Sequence, residues 1–190
     1  MKPQIRVLAV DDSPFKFGDE RVLVIGVVMR VPAYMEAVLR TEVAVDGKDA
    51  CERLAEMINT SRYKEQLRLV LIDGVALGGF NVVDIRELHE KIGLPVATVT
   101  RERPDFPAME EALREHFEDW ERRLNIIKEG ELVSLETEHK PIFMKFIGIE
   151  LEELKEVIEQ STVRGALPEA LRVAHLIATG VVAGESRGMA

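Results

Sequence analysis

The stretch "RVLVIGVVMRVPAYMEAVLRTEVAV", residues 21–45, decides the fold of this 190-residue chain. Arg21 to Arg30 is a β-branched run that reads as a strand, and Pro32 ends it. Val38 to Val45 alternates, with Arg40 and Glu42 on one face and apolar neighbours on the other, as in a third strand. Ahead of both, Arg6 to Val10 is a short apolar strand, and "GDE" at 18–20 is a turn. Three consecutive strands joined by short links predict an antiparallel meander.

The pattern then changes. Asp49 opens a helix: with Glu52 it has capping-box spacing, and Ala50, Leu54, Met57 and Ile58 recur on one face. "LRLVLIDG", residues 67–74, is the most apolar strand, so a central, parallel position is expected. After the glycine-rich "VALGGF", Asn81 is the expected N-cap of a helix carrying Val82, Ile85 and Leu88, which Gly93 and Pro95 stop. "PVATVT", residues 95–100, is a fifth strand. Asp105 and Pro107 start another helix with Met109, Leu113, Phe117 and Trp120 inward. Residues 131–149 read as two short strands, and two helices from about Glu150 and Pro168 finish the chain. The last is apolar almost all round and is expected to be buried. This order predicts an α/β fold: a mixed sheet of three antiparallel strands and then two parallel strands, flanked by helices. The length suits one domain spanning 1–190.

Composition narrows the functional classes. Apolar residues make up 46% and charged residues 31%, as in a globular protein, and no apolar run is long enough to cross a bilayer. Cys51 is the single cysteine, which excludes a disulfide framework and a cysteine-rich zinc site and points to the cytoplasm. The net charge of −9 argues against strong nonspecific nucleic-acid binding. Residues 102–160 hold 17 acidic and 8 basic groups, however, and the rest holds 17 of each, so one face remains able to accept a polyanion.

Asp11 and Asp73 each end an apolar strand, where ligands of open α/β sheets bind. Carboxylates without His or Cys suit Mg²⁺ or Mn²⁺, ions that polarise a phosphoryl oxygen and promote phosphodiester hydrolysis. Asp12 falls on the opposite side of the strand from Asp11. Asp46 and Asp49 are candidates for a further carboxylate, although Asp-Gly at 46–47 is an ordinary turn pair and Asp49 an ordinary N-cap. Arg101 ends the fifth strand within reach of an anion at the same edge, and the "GVALGG" loop offers backbone N–H groups. Glu169, Arg172 and His175 share a stripe of the last helix; a lone His there is more often a core residue than a ligand.

Two family resemblances attach to these residues. "VLAVDDS", "LRLVLIDG" and "VATVT" resemble strands of response-regulator receiver domains, which would make Asp73 a phosphoacceptor, but a receiver has a helix directly after its first strand. The second covers more of the chain. "LAVDDS", "LVLIDGVALGGFNVVDIRELHEKIGLPVATVTR" and "LPEALRVAH" resemble, in order, three blocks of an archaeal family related to endonuclease V, within the ribonuclease H-like nucleases. This resemblance implies a nuclease acting on DNA or RNA, with deaminated bases as the family's substrates. It places the catalytic aspartates at Asp11 and Asp73 with Mg²⁺ or Mn²⁺, and Asp49 or Asp46 where the family has a glutamate. It puts substrate contacts at Gly74, at Arg101 in place of the usual lysine, and at Arg164 and Arg172 around the C-terminal motif that His175 closes. The Pro-Tyr-Ile-Pro wedge of endonuclease V has no counterpart before Asp46. A nucleic-acid or protein binding module with a degenerate nuclease site is the alternative reading.

Overall fold

The computed structural model describes residues 5–16 and 18–186. Strands β1 (Arg6–Asp12), β2 (Arg21–Arg30) and β3 (Tyr34–Ala44) form the expected antiparallel meander. Helix α1 (Ala50–Asn59) and a single 3₁₀ turn (Lys64–Gln66) lead back to β4 (Leu69–Asp73), which pairs parallel to β1. A small hairpin, β5 (Ala76–Leu77) and β6 (Asn81–Val82), precedes α2 (Ile85–Ile92) and then β7 (Val96–Thr100), parallel to β4. Helices α3 (Phe106–His116) and α4 (Trp120–Lys128) pack on each other. Strands β8 (Val133–Leu135) and β9 (Ile142–Ile147) extend the sheet antiparallel to β7, and α5 (Leu151–Ser161) and α6 (Glu169–Ala183) complete the chain. The seven-stranded order is β3–β2–β1–β4–β7–β9–β8, a mixed sheet flanked by helices.

Strand alternation sorts the core into two faces. Val7 and Ala9 of β1 and Leu69 and Leu71 of β4 point toward Leu154, Val157, Leu171 and Ala174 of α5 and α6. Leu8, Val10, Val70 and Ile72 point the other way, toward Leu54 and Ile58 of α1 and Leu88 of α2. A third, smaller cluster, Leu113, Leu124 and Ile127, lies within the α3–α4 pair. Because β1 and β4 are covered on both faces, their sequences are continuous apolar runs.

The structure corrects the sequence reading at several points. β3 begins at Tyr34, four residues before Val38, because a register shift at Val28 and Met29 lets β2 pair beyond it. Asp84, not Asn81, caps α2, accepting from the N–H groups of Arg86 and Glu87; Asn81 sits in β6 with its side chain buried. The helix starting at Asp105 ends at His116, and Trp120 lies on a second helix, α4. Asp49 stands at the N-cap position of α1 without capping it through its side chain. Helix α6 buries one face only, with Val181 and Val182 exposed near its end. The receiver-like alternative fails on topology, since β1 is followed by two antiparallel strands before any helix. Among the described residues no helix is long and apolar enough to cross a membrane.

Leu71 is fully buried in β4 beneath α6. Replacing it with Ala is expected to cost about 2–5 kcal/mol. Urea unfolding should show this as a lower midpoint at unchanged slope.

Candidate active site

Parallel pairing of β1 and β4 runs through Val10 and Ile72, so Asp11 and Asp73 are the next residues of two adjacent strands. Both fall on the α6 side of the sheet by alternation. Asp11 is buried, and its Oδ2 lies 2.9 Å from Nδ1 of His175 on α6, while its Oδ1 accepts the Asp12 N–H at 2.9 Å. Arg101 lies one residue past β7, the strand beside β4. Its charge is felt at both aspartates. The carboxyl ends of three neighbouring parallel strands and one helix therefore converge Asp11, Asp73, Arg101 and His175.

The electrostatics follow from this placement. Burial pushes the Asp11 carboxyl up to about 8; the Asp73 and Asp12 charges add to it, against the Asp12 N–H and Arg101. Asp73 is also raised, by burial first, with Arg101 and His175 opposing and Asp12 adding. Asp12 turns to the other face, where its Oδ2 accepts the Gly78 N–H at 2.8 Å; burial raises its pKa too.

The remaining candidates are held elsewhere. Asp49 accepts from the Ala44 N–H at 3.0 Å and the Asn81 side-chain amide at 2.7 Å, on the α1 side, which Asp11 does not face. Burial alone would raise its pKa, but these donors and Arg21 outweigh it and the net shift is downward. Asp46 is a left-handed turn residue (φ 54°) whose Oδ1 accepts the Phe80 N–H at 2.8 Å. The structure thus brings neither Asp46 nor Asp49 to the Asp11–Asp73 pair. Loop N–H groups expected to face an anion are engaged as well: Gly78 and Phe80 donate to Asp12 and Asp46, and Gly74 donates to the Val99 carbonyl at 2.9 Å. Arg172 pairs with Glu169 at 2.5 Å, one turn before His175. Arg164 is exposed between α5 and α6, lining a cleft with Glu136, His139 and Glu159.

Two buried groups that sequence reasoning missed brace the loops beside the site. Asn81, fully buried, accepts the Ala50 N–H and donates to the Ala44 carbonyl and Asp49. Arg123 donates to the Gly47 and Phe80 carbonyls at 2.9 and 2.6 Å and to Asp119. These bracing contacts carry no local signal, since the partners of Asn81 and the two carbonyls that Arg123 holds lie more than 30 positions away. His175 had such a signal in its stripe with Glu169 and Arg172.

A family model described as Endonuclease dU matches residues 3–182. The chain belongs to the endonuclease dU family. Its relatives include a UPF0215 protein of Methanosarcina acetivorans, 48% identical over 193 residues and covering 100% of this chain and 97% of that protein. A UPF0215 protein of Methanothermobacter thermautotrophicus is 44% identical over 191 residues, covering 100% and 94%. Among solved structures, a protein of unknown function from Archaeoglobus fulgidus superposes with TM-score 0.83 at 32% identity, covering 94% of this chain and 99% of that one. Endonuclease V of Ciona intestinalis, in complex with a 24mer DNA containing an inosine followed by a ribo-adenosine, gives TM-score 0.58 at 16% identity, over 90% and 83%. This likeness places the chain in the ribonuclease H-like fold, as does that to Marinitoga piezophila Argonaute (TM-score 0.56, 13% identity, 91% of this chain and 29% of that one).

The raised Asp11 pKa has a stability consequence. Between about pH 4 and 8 the folded metal-free chain keeps a proton on Asp11 that the unfolded chain has released, so rising pH favours unfolding. Asp11→Asn cannot release that proton. In EDTA, Asp11→Asn should therefore gain Tm relative to wild type as pH rises from 5 to 8; an unchanged difference would contradict the assigned environment.

Proposed function

We propose that this chain, a single endonuclease V-like domain, hydrolyses phosphodiester bonds of nucleic acid at deaminated bases, using Mg²⁺ or Mn²⁺ held by Asp11 and Asp73. The observation that carries the reading is the convergence of a buried carboxylate, Asp11, and a half-buried one, Asp73, with Arg101 at one sheet edge. Membership of the endonuclease dU family supports it, as does a fold shared with an endonuclease V solved on inosine-containing DNA.

The donor set fits such an ion. Among the described residues no group of three or more His, Cys, Asp or Glu side chains is arranged to hold a metal. The two carboxylates present, Asp11 and Asp73, suit Mg²⁺, which takes one or two carboxylates and completes its shell with water and substrate phosphate. Burial, with like charge added, raises both carboxyl pKa values, and a divalent charge would favour their ionised forms. When bound, the ion supplies polarisation of a phosphoryl oxygen and a lowered pKa for an attacking water. Asp11 and Asp73 anchor it, and His175 fixes the orientation of the Asp11 carboxylate through Oδ2. Arg101 neutralises a phosphate oxygen beside the pair.

The engagement of Asp49 by Ala44 and Asn81 favours the second reading, a nucleic-acid-binding module with an incomplete nuclease site. Incubation with inosine- or deoxyuridine-containing DNA and RNA in Mg²⁺ or Mn²⁺ separates the two. The nuclease reading expects metal-dependent cutting that falls at least a hundredfold in Asp11→Ala and Asp73→Ala. Binding without cutting in any of these mixtures supports the module.

Arg101→Ala should weaken binding similarly across sequences and lower the slope of log affinity against log salt by about one unit. Because protons compete for the same carboxylates, Mg²⁺ should raise Tm more at pH 8 than at pH 5.5.

A further inference from the structure

Phe15 follows the candidate active site by four residues and, unlike the core aromatics, leaves 40% of its surface in solvent. The tip of its ring approaches the glycine turn of the β5–β6 hairpin, with Cζ 3.6 Å from where a Cβ on Gly79 would stand. Both walls of this arrangement are fixed. Gly78 donates to Asp12 and Phe80 to Asp46, and the Phe80 carbonyl accepts from the buried Arg123. Gly79 (φ +83°) must remain glycine, because a side chain there would run into Asp46 Oδ1. On the chain side, the Lys16 N–H donates to Asp19 Oδ2 at 2.7 Å and the Asp19 N–H donates to the Lys16 carbonyl at 3.1 Å.

An exposed aromatic ring offers a surface on which any nucleic-acid base can stack. Four residues of chain reach at most about 14 Å, so Phe15 stays within a short span of Asp11. We propose that Phe15 is the shelf on which an unpaired base of the substrate stacks while the neighbouring phosphate is held at the Asp11–Asp73 edge. This inference rests on the nuclease reading above. It assigns base contact to the β1–β2 loop, in a chain without the Pro-Tyr-Ile-Pro wedge. Lys16, exposed and next in the chain, adds positive charge beside the shelf.

The test uses the full chain in EDTA and single-stranded oligonucleotides carrying 2-aminopurine, whose fluorescence is quenched by stacking. Wild type and Phe15→Trp are expected to bind and to quench the probe. Phe15→Ala and Phe15→Leu should bind roughly 5–150-fold more weakly, the loss of one base–aromatic stack, and lose the quench. Leu keeps an apolar cover over Gly79, so it retains the fold even if Ala lowers Tm. Binding and quenching by Phe15→Leu within twofold of wild type would overturn the shelf while leaving the nuclease reading intact. If wild type binds no oligonucleotide, with or without Mg²⁺, the shelf falls together with the reading on which it rests.

Discussion

Like charges stand side by side at the carboxyl ends of β1 and β4, and the surrounding structure is organised by that repulsion. Parallel pairing leaves no choice of partner. Once Val10 is in register with Ile72, the residues that follow are two aspartates on the same face. Two carboxylates about 4 Å apart repel by roughly 4 kcal/mol at an effective dielectric of 20, and burial adds to this. Neighbouring elements answer with compensation: a histidine from α6, an arginine from the end of β7 and the N–H of Asp12. A fold that gathers carboxylates at one edge and only partly compensates them is poised for a cation or for protons. The same property links the site's chemistry to its pH-dependent stability.

Function divides between the two faces of the sheet. On the α6 side are Asp11 and Asp73, proposed to hold a metal ion, and His175, which contacts Asp11. On the α1 side, Asp12, Asp46 and Asp49 hold loops in place by accepting N–H groups from Gly78, Phe80 and Ala44. The adjacent aspartates of "VDDS" therefore do unlike work. Strand alternation sends one to the charge cluster and the other to the glycine turn that supports Phe15. Rigid loops beside a charged edge are what a site needs if a flexible polyanion is to be held in one register.

Much of the fold was legible because its signals are local. The β-branched run at 21–30, the apolar "LRLVLIDG" and the Asp105–Pro107 helix start each declare themselves within ten residues. Misreadings arose where tertiary partners overrode local chemistry. Asn81 has a good N-cap side chain, but Ala44, Ala50 and Asp49 supply better-buried partners, and Asp84 three residues later caps the helix instead. Asp49 and Glu52 have capping-box spacing, yet the Asp49 carboxylate turns to β3 and the hairpin.

The sequence by itself determined the succession of the main strands and helices along the chain, the mixed character of the sheet and the two strand-end aspartates, because hydrophobic periodicity and turn residues encode them within single elements. Only the tertiary structure decided which carboxylates meet. Asp11 and Asp73 are 62 positions apart and Asp11 and His175 are 164, and their juxtaposition depends on strand register and on α6 lying across β1 and β2. Asp46 and Asp49 looked equally eligible in the sequence. They were separated from the pair by which face of the sheet α1 covers, a property of packing that no local pattern carries.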